Sequence, residues 1–324
     1  MPQDNSKVVT PVTLRILWRL GGLSVWKLMM RTIRERRSHQ LDARSAQFSY
    51  YSMLALAPLL ILIIASVAQL PLDDVLESFL RAIKAGLPEN VERLINRQIV
   101  DIQKHSTWKL MIVALVLLSV AGSQVFLTLG AGLDAAYGVE HRRRFLRASG
   151  VALALTFGVF VLLLLAMVLL VIGPMVAEFL LGRIDAPWLH VLLSTGVRWG
   201  VACGFMLIAT SVVYWLVPSV KLPWYWISPG SLFATVGWIV AMQGMRLYIQ
   251  NVASTRYNET YGALGGVVVL LVWLYMTGTL LLTGGQINGI SRHAAIGEDE
   301  EGRRRQRSRL AYARRTQKPP ARRR

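Results

Sequence analysis

The segment at residues 261–288, YGALGGVVVLLVWLYMTGTLLLTGGQIN, decides how the rest of the chain is interpreted. It contains no charged residue. About 20 apolar residues, each rising 1.5 Å, cross a ~30 Å hydrocarbon core, so the segment can span a bilayer as one helix. Glycines lie at both of its ends, with Gly262 and Gly266 near the start and Gly285 near the finish. Small residues let helices approach closely, so contacts are predicted at both ends.

The composition of the whole chain is that of a membrane protein. Of its 324 residues, 54% are hydrophobic and 17% are charged, and the mean hydropathy is +0.44. These values are too apolar for an ordinary soluble domain. The single cysteine, Cys203, allows no intramolecular disulfide. Six apolar runs predict an all-α polytopic fold with six transmembrane helices, at residues 46–70, 110–134, 148–173, 191–217, 228–250 and 262–287.

The distribution of positive charge predicts the orientation of these helices. The net charge is +18, and Lys and Arg residues number 9 in residues 1–45, 4 in 138–147, 1 at Lys221 and 12 from residue 291 onward. Two apolar runs separate each of these regions from the next, so all four lie on the same side of the membrane if every run spans it. The positive-inside rule therefore predicts that both termini face the cytoplasm.

Three parts are predicted along the chain. Residues 1–45 form a basic amphipathic cytoplasmic segment, residues 46–290 the transmembrane domain, and residues 291–324 a disordered Arg-rich cytoplasmic tail. Amphipathic spacing predicts helices at 13–34 and 72–107. The first suits the anionic inner surface or packs on the bundle, with a regulatory or partner-binding role as the alternative. The second either caps a central cavity or lies on the outer leaflet.

Polar and small residues inside the apolar runs are the candidate functional residues. Polar groups are costly in hydrocarbon unless they find partners, so we expect them to face the protein interior. The candidates for a polar core or substrate path are Gln47, Tyr50, Tyr51, Gln124, Asp134, Gln243, Gln286 and Asn288. Helix packing is predicted at Pro58, Gly200, Gly204, Gly262, Gly266 and Gly285, and Pro58 should kink its helix. Packing alone, without a path, would also explain the polar residues.

Catalytic motifs are not found in the sequence. It lacks both the metal-ligand spacing H-E-x-x-H and the P-loop G-x-x-x-x-G-K-[ST]. Its five histidines lie in predicted loops or near the ends of spans, at positions 39, 105, 141, 190 and 293, without paired carboxylates. We therefore predict no catalytic residue, no metal site and no cofactor.

Membrane lipids are the predicted partners, through anionic headgroups at the basic cytoplasmic segments. The Arg-rich tail could equally suit RNA, but lipid or simple solvation is favoured, so no specific nucleic-acid partner is predicted. Assembly into a homo-oligomer is left open.

The order and spacing of several short motifs resemble the YihY/BrkB family of bacterial inner-membrane proteins, once labelled ribonuclease BN. The first motif comprises Asp42, Ala46, Tyr50, Tyr51, Leu56 and Pro58, and the second is Gly132-Leu133-Asp134-Ala135-Ala136-Tyr137. Further along are Val217-Pro218-Ser219-Val220, Gly230, Leu247-Tyr248, Tyr261-Gly262-Ala263-Leu264, Trp273-Leu274-Tyr275 and Gly284-Gly285-Gln286. The resemblance covers about residues 40–290 and implies six helices with both ends inside.

Two positions depart from the family pattern. Gly284-Gly285-Gln286 stands where the family commonly has Gly-Ala-Glu, and Asp134 stands where Asn is usual. A role that needs a carboxylate at residue 286 is therefore not expected, although a neutral amide can bridge helices by hydrogen bonds. The leading hypothesis is a transporter-like protein that handles an amphipathic or lipid-linked substrate. The alternatives are a membrane scaffold or partner-binding component, and a ribonuclease, which is disfavoured.

Overall fold

Helices account for the regular structure in the described part of the chain. A computed structural model describes the backbone of residues 18, 22–67, 108–139, 145–181, 187–220, 222–248 and 258–316, and within these ranges the side chains except those of 167–199, 201–202, 258–264 and 298–316. The helices are α1 (Val25–Ser38), α2 (Leu41–Val67), α3 (Trp108–Ala136), α4 (Phe145–Leu181), α5 (Pro187–Leu216), α6 (Pro229–Tyr248) and α7 (Asn258–Thr316). No strand occurs in these ranges, and the all-α prediction is confirmed.

Four described segments are long and apolar enough to cross a membrane: Leu41–Ser66, Trp108–Ala136, Phe145–Ala166 and Gly265–Gly297. A shorter apolar stretch, Cys203–Leu216, belongs to α5. Each of the six predicted runs falls largely within one of the helices α2 to α7. The chain is therefore a polytopic membrane protein, and the count of six spans stays a prediction.

Helix α7 is the centre of the bundle, since it packs against α1, α2, α3 and α6. Three glycines near the middle of α7 allow close contacts with α3 and α5. A Cβ on Gly284 would overlap the Tyr214 hydroxyl, one on Gly285 would overlap the Leu133 side chain, and one on Gly289 would overlap the main chain at Ala136. These glycines admit neighbouring groups to the surface of the helix.

Helix α1 differs in its bounds from the predicted amphipathic helix at 13–34. Gly22 has a φ of +76°, and Ser24 is the extended N-cap of a helix that begins at Val25 and ends at Ser38. Leu28 of α1 packs with Ile287 and Ile290 of α7. The described helix is therefore docked on the bundle. Residues 13–17 lie outside the described residues, as does the second predicted amphipathic region at 72–107.

The C-terminal part of α7 corrects the predicted boundary at residue 290. The helix runs on to Thr316, so the prediction of disorder is wrong for residues 291–316. Ser291, Arg292 and Ala295 are buried, because the helix face that carries Ile287 and Ile290 continues past the end of the apolar run. Residues 317–324 lie outside the described residues.

The remaining predicted packing residues have different surroundings. Pro58 is buried inside α2. A Cβ on Gly200 or Gly204 would meet no described atom within 4 Å, so the close helix contact predicted there is not found in the described structure. Gly266 is half-buried, and the side-chain surroundings of Gly262 lie outside the described part.

Candidate functional site

A groove between α2 and α3 brings together four of the predicted polar residues. It has a volume of about 490 Å³, and its lining comprises Gln47, Tyr50, Tyr51 and Gln124 together with Ala46, Leu127, Thr128 and Ala131. On α2, positions 47, 50 and 51 share a face because residues three and four apart are neighbours on a helix. The same spacing aligns positions 124, 128 and 131 on α3. The predicted interior position is wrong for Gln47 and Tyr50, which are exposed to the open groove.

A second cavity, of about 320 Å³, adjoins the groove along a neighbouring face of α3. Its walls come from α3, α4 and the segment after α5, and they are mainly apolar, including Phe126, Phe145 and Leu155. Its polar lining residues are Asp134 and Ser219. Leu127 and Ala131 line both this apolar cavity and the groove, so the two spaces share part of one helix as a common wall.

Asp134 ties α3 to the segment that follows α5. The carboxylate is 5% exposed. Its Oδ1 accepts a hydrogen bond from the Ser219 amide at 2.6 Å, and its Oδ2 accepts one from the Ser219 hydroxyl at 2.7 Å. Charge-assisted bonds of this kind offset the cost of burying a carboxylate. Asp134 therefore joins two elements and also contributes to the end of the apolar cavity.

Asn288 of α7 caps the start of α6. Its Oδ1 accepts a hydrogen bond from the Gly230 amide at 2.8 Å, and its Nδ2 donates to the Ser228 hydroxyl at 2.9 Å. The Ser228 hydroxyl also accepts a hydrogen bond from the Ser231 amide at 3.1 Å, which is the bond expected of an N-cap residue. Sequence reasoning missed Ser228, although a serine followed by a proline at the first helical position is a recognisable helix start.

Gln286 joins α7 to α1 and to the turn that follows it. The side chain is fully buried. Its Nε2 donates to Glu35 Oε2 at 2.6 Å, and its Oε1 lies 2.9 Å from His39 Nδ1. Glu35 also pairs with Arg31 at 2.6 Å. An amide oxygen only accepts, so His39 carries its proton on Nδ1 in this arrangement. Sequence reasoning missed Glu35 and His39, because both precede the first apolar run.

Gln243 has an exposed side chain on α6. The expectation of an interior position is wrong for this residue. The buried face of α6 carries Ala234 and Ala241, and position 243 lies about 200° around the helix from position 241, since each residue turns it by about 100°. Gln243 is therefore directed away from the face that packs.

The groove has the chemistry of a binding site for polar groups. Amide and phenol side chains at its surface can both donate and accept hydrogen bonds. Within the described ranges, no group of three or more His, Cys, Asp or Glu residues could hold a metal ion. The two histidines whose side chains the structure describes are engaged, His39 with Gln286 and His293 with the Tyr137 carbonyl at 3.2 Å.

Comparison with known proteins places the chain in a family. The sequence model of the family described as virulence factor BrkB matches residues 32–309. The chain belongs to the BrkB family. One BrkB-like relative is the ribonuclease-like protein YfkH of Bacillus subtilis (strain 168), which is 31% identical over 254 residues, 78% of this chain and 90% of that protein.

Other relatives of this BrkB-family chain are named as membrane proteins. UPF0761 membrane proteins of Albidiferax ferrireducens and Verminephrobacter eiseniae are each 26% identical. The matches cover 86% and 83% of this chain, and 65% and 64% of those proteins. The chain therefore spans just under two thirds of the length of these two relatives. No solved structure matches significantly. Family membership and the apolar helices together make this a bacterial integral membrane protein.

Proposed function

We propose that this BrkB-family protein is a transporter-like or lipid-handling component of the bacterial inner membrane, with both termini in the cytoplasm. The observation that carries the proposal is the groove between α2 and α3, where Gln47, Tyr50, Tyr51 and Gln124 converge. Hydrogen-bonding groups on membrane helices are costly against lipid, and they commonly mark substrate pathways. The groove would bind the polar part of an amphipathic or lipid-linked substrate.

The apolar cavity supports a substrate that also has a hydrocarbon part. It adjoins the groove through Leu127 and Ala131. Burial of each methylene group contributes about 0.8 kcal/mol, so even a short segment of an acyl chain would add to binding. A molecule with one polar end and one apolar end therefore suits the pair of spaces better than a small hydrophilic solute.

A second candidate function is that of a scaffold or partner-binding component. Asp134, Gln286 and Asn288 all bridge helices through short hydrogen bonds. These three residues were expected to be part of a substrate path, and their geometry favours a structural role. The proposal includes no nuclease activity, even though one relative is named ribonuclease-like, because His39 and His293, the histidines with described side chains, have structural partners.

Reconstitution tests the proposal. The full chain in proteoliposomes is expected to redistribute a fluorescent phosphatidylglycerol between leaflets faster than protein-free vesicles do. Gln124→Leu and Tyr51→Phe, each of which removes one hydrogen-bonding group from the groove, should slow this redistribution. Gln243→Leu, at an exposed position of α6, is the matched control and should leave the rate unchanged.

Three outcomes would contradict this function. If the folded protein redistributes the lipid no faster than protein-free vesicles do, the scaffold function is favoured. An equal effect of Gln124→Leu and Gln243→Leu would separate any activity from the groove. Nucleic-acid cleavage that persists through purification and disappears with a point substitution in the chain would reinstate the enzyme hypothesis.

A further inference from the structure

Arg292 is a buried cation without a described carboxylate partner. It lies on α7 with 9% of its surface exposed. The ion pairs within the described residues are Arg31–Glu35 and Arg36–Asp42, and neither includes Arg292. An isolated buried charge is strongly unfavourable, so buried charges are normally paired with an opposite charge or a bound ion. This guanidinium is therefore suited to an anion.

A small cavity lies against this residue. Its volume is about 30 Å³, and its lining includes Tyr137, Ser211, Tyr225, Ser228, Asn288 and Arg292. Burial raises the pKa of Tyr137 well above its usual value, while a hydrogen bond with Asn288 and the charge of Arg292 act in the opposite direction. Burial also raises the pKa of Tyr225, against the same opposing charge of Arg292. Both phenols thus keep their protons and do not neutralise the guanidinium.

Most other polar lining groups already have partners within the protein. The Ser211 hydroxyl donates to the Trp226 carbonyl at 2.8 Å, and the Tyr214 hydroxyl donates to the Leu281 carbonyl at 2.8 Å. Ser228 and Asn288 bond to each other at 2.9 Å. Arg292 is consequently the strongest donor that the cavity presents to a ligand, and a planar guanidinium matches the oxygens of a phosphate group in a two-point contact.

Tryptophans beside the cavity indicate its depth in the membrane. Trp215 lines the cavity, and its ring packs edge to face with that of Trp224, with ring centroids 5.1 Å apart. Trp224 packs in the same way with Trp226 at 5.5 Å. Trp215 and Trp226 are exposed. Clustered tryptophans are characteristic of the interface where lipid headgroups lie. We therefore expect the cavity to lie at the level of lipid phosphates.

We propose that Arg292 and the cavity beside it form a binding site for one phosphate group, carried by a lipid headgroup or free in solution. The volume admits one or two oxygens of a tetrahedral anion, and the rest of the group lies at the opening. This site is separate from the groove between α2 and α3 and does not depend on the proposed transport function. The Arg292 site also differs from the headgroup contacts that were expected of a disordered tail, because Arg292 is fixed on a packed helix.

Thermal unfolding of the full chain in a phosphate-free maltoside detergent tests the site. One arm adds phosphatidylglycerol with diacylglycerol as its phosphate-free control, and the other adds inorganic phosphate with chloride at equal ionic strength. Stabilisation by phosphatidylglycerol alone assigns the site to a headgroup, and stabilisation by inorganic phosphate assigns it to a free anion. In either arm, Arg292→Gln should weaken binding about tenfold or more, because it removes a charge-assisted hydrogen-bond donor.

The matched control is Arg246→Gln, which removes an exposed positive charge from the last turn of α6. It should bind like the wild type. Equal binding by Arg292→Gln and wild type would overturn the proposal, as would an equal loss in both variants, which would indicate diffuse attraction. Arg292→Lys should bind with intermediate affinity because it keeps the charge and loses the planar fork.

A measurement on the wild-type protein covers the case in which Arg292 variants do not fold. Phenylglyoxal modifies arginine side chains, and peptide mass spectrometry reports the modification of each one. Phosphatidylglycerol or inorganic phosphate should protect Arg292 and leave Arg246 equally reactive. Modification of Arg292 that neither ligand changes would refute the site.

Discussion

Gln286 on α7 donates a 2.6 Å hydrogen bond from Nε2 to Oε2 of Glu35 on α1. The resemblance given by the sequence motifs implies Glu at position 286, and here the carboxylate of this pair comes from the other helix. The cluster therefore keeps one negative charge at the junction of the two helices. Arg31 and His39 are the other described groups that bond to this pair.

The Gln286–Glu35 pair can be tested by exchanging its members. Gln286→Glu places two carboxylates in contact, which should lower thermal stability at neutral pH. Like charges raise the pKa values of such a pair, so this variant should be most stable in acid and lose stability as the pH rises. Glu35→Gln combined with Gln286→Glu restores one carboxylate and should recover most of the loss. If the unfolding temperature of the double variant is no higher than that of Gln286→Glu alone, the pair does not couple the helices.

The close approach of α6 and α7 can be tested at Gly230. A Cβ at this position would overlap the Gly284 carbonyl and the Asn288 side chain. Gly230→Ala should therefore destabilise the protein by about 1 to 3 kcal/mol or more, because backbone cannot move aside as a side chain can. Thermal unfolding in detergent measures the change.

Gly158 provides the control for that substitution. A Cβ there meets no described atom within 4 Å, so Gly158→Ala should be neutral or raise stability by up to about 1 kcal/mol. A loss at Gly158 equal to that at Gly230 would mean that helix packing is not what distinguishes these positions.

Asp134 should tolerate an amide better than an apolar side chain. Asp134→Asn keeps an acceptor for the Ser219 amide, and we expect a small decrease in unfolding temperature. Asp134→Leu removes both bonds to Ser219 and leaves the serine donors without this acceptor, at a cost of about 2 to 3 kcal/mol. Indistinguishable unfolding temperatures for the two variants would contradict a structural role for the carboxylate.

Truncation can locate the end of the packed domain. A truncated protein that ends at Gly297 retains Arg292 and Ala295, and it should elute from a size-exclusion column as folded protein. Chain ending at Ile290 loses these buried residues and should be less stable or aggregate. Equal stability of the two would restore the domain boundary that the hydropathy pattern predicts.

The helices of this fold could be predicted from the sequence better than the contacts between them. Gln47, Tyr50 and Gln124 could be expected to converge because helical spacing places them on facing surfaces of two apolar segments. The partners of Gln286 could not be predicted in the same way, since Glu35 and His39 lie in a charged stretch just after the predicted amphipathic helix at 13–34 and no spacing relates them to residue 286. The packed region after residue 290 was missed for a similar reason, because composition there is dominated by charge and conceals the buried face.

Leu127 and Ala131 make α3 a wall common to two spaces. Both residues border the groove on one side and the apolar cavity on the other. The two spaces are therefore adjoining chambers, and a change of side chain at either position alters both of them. A bulkier residue at position 131 would encroach on both chambers at once.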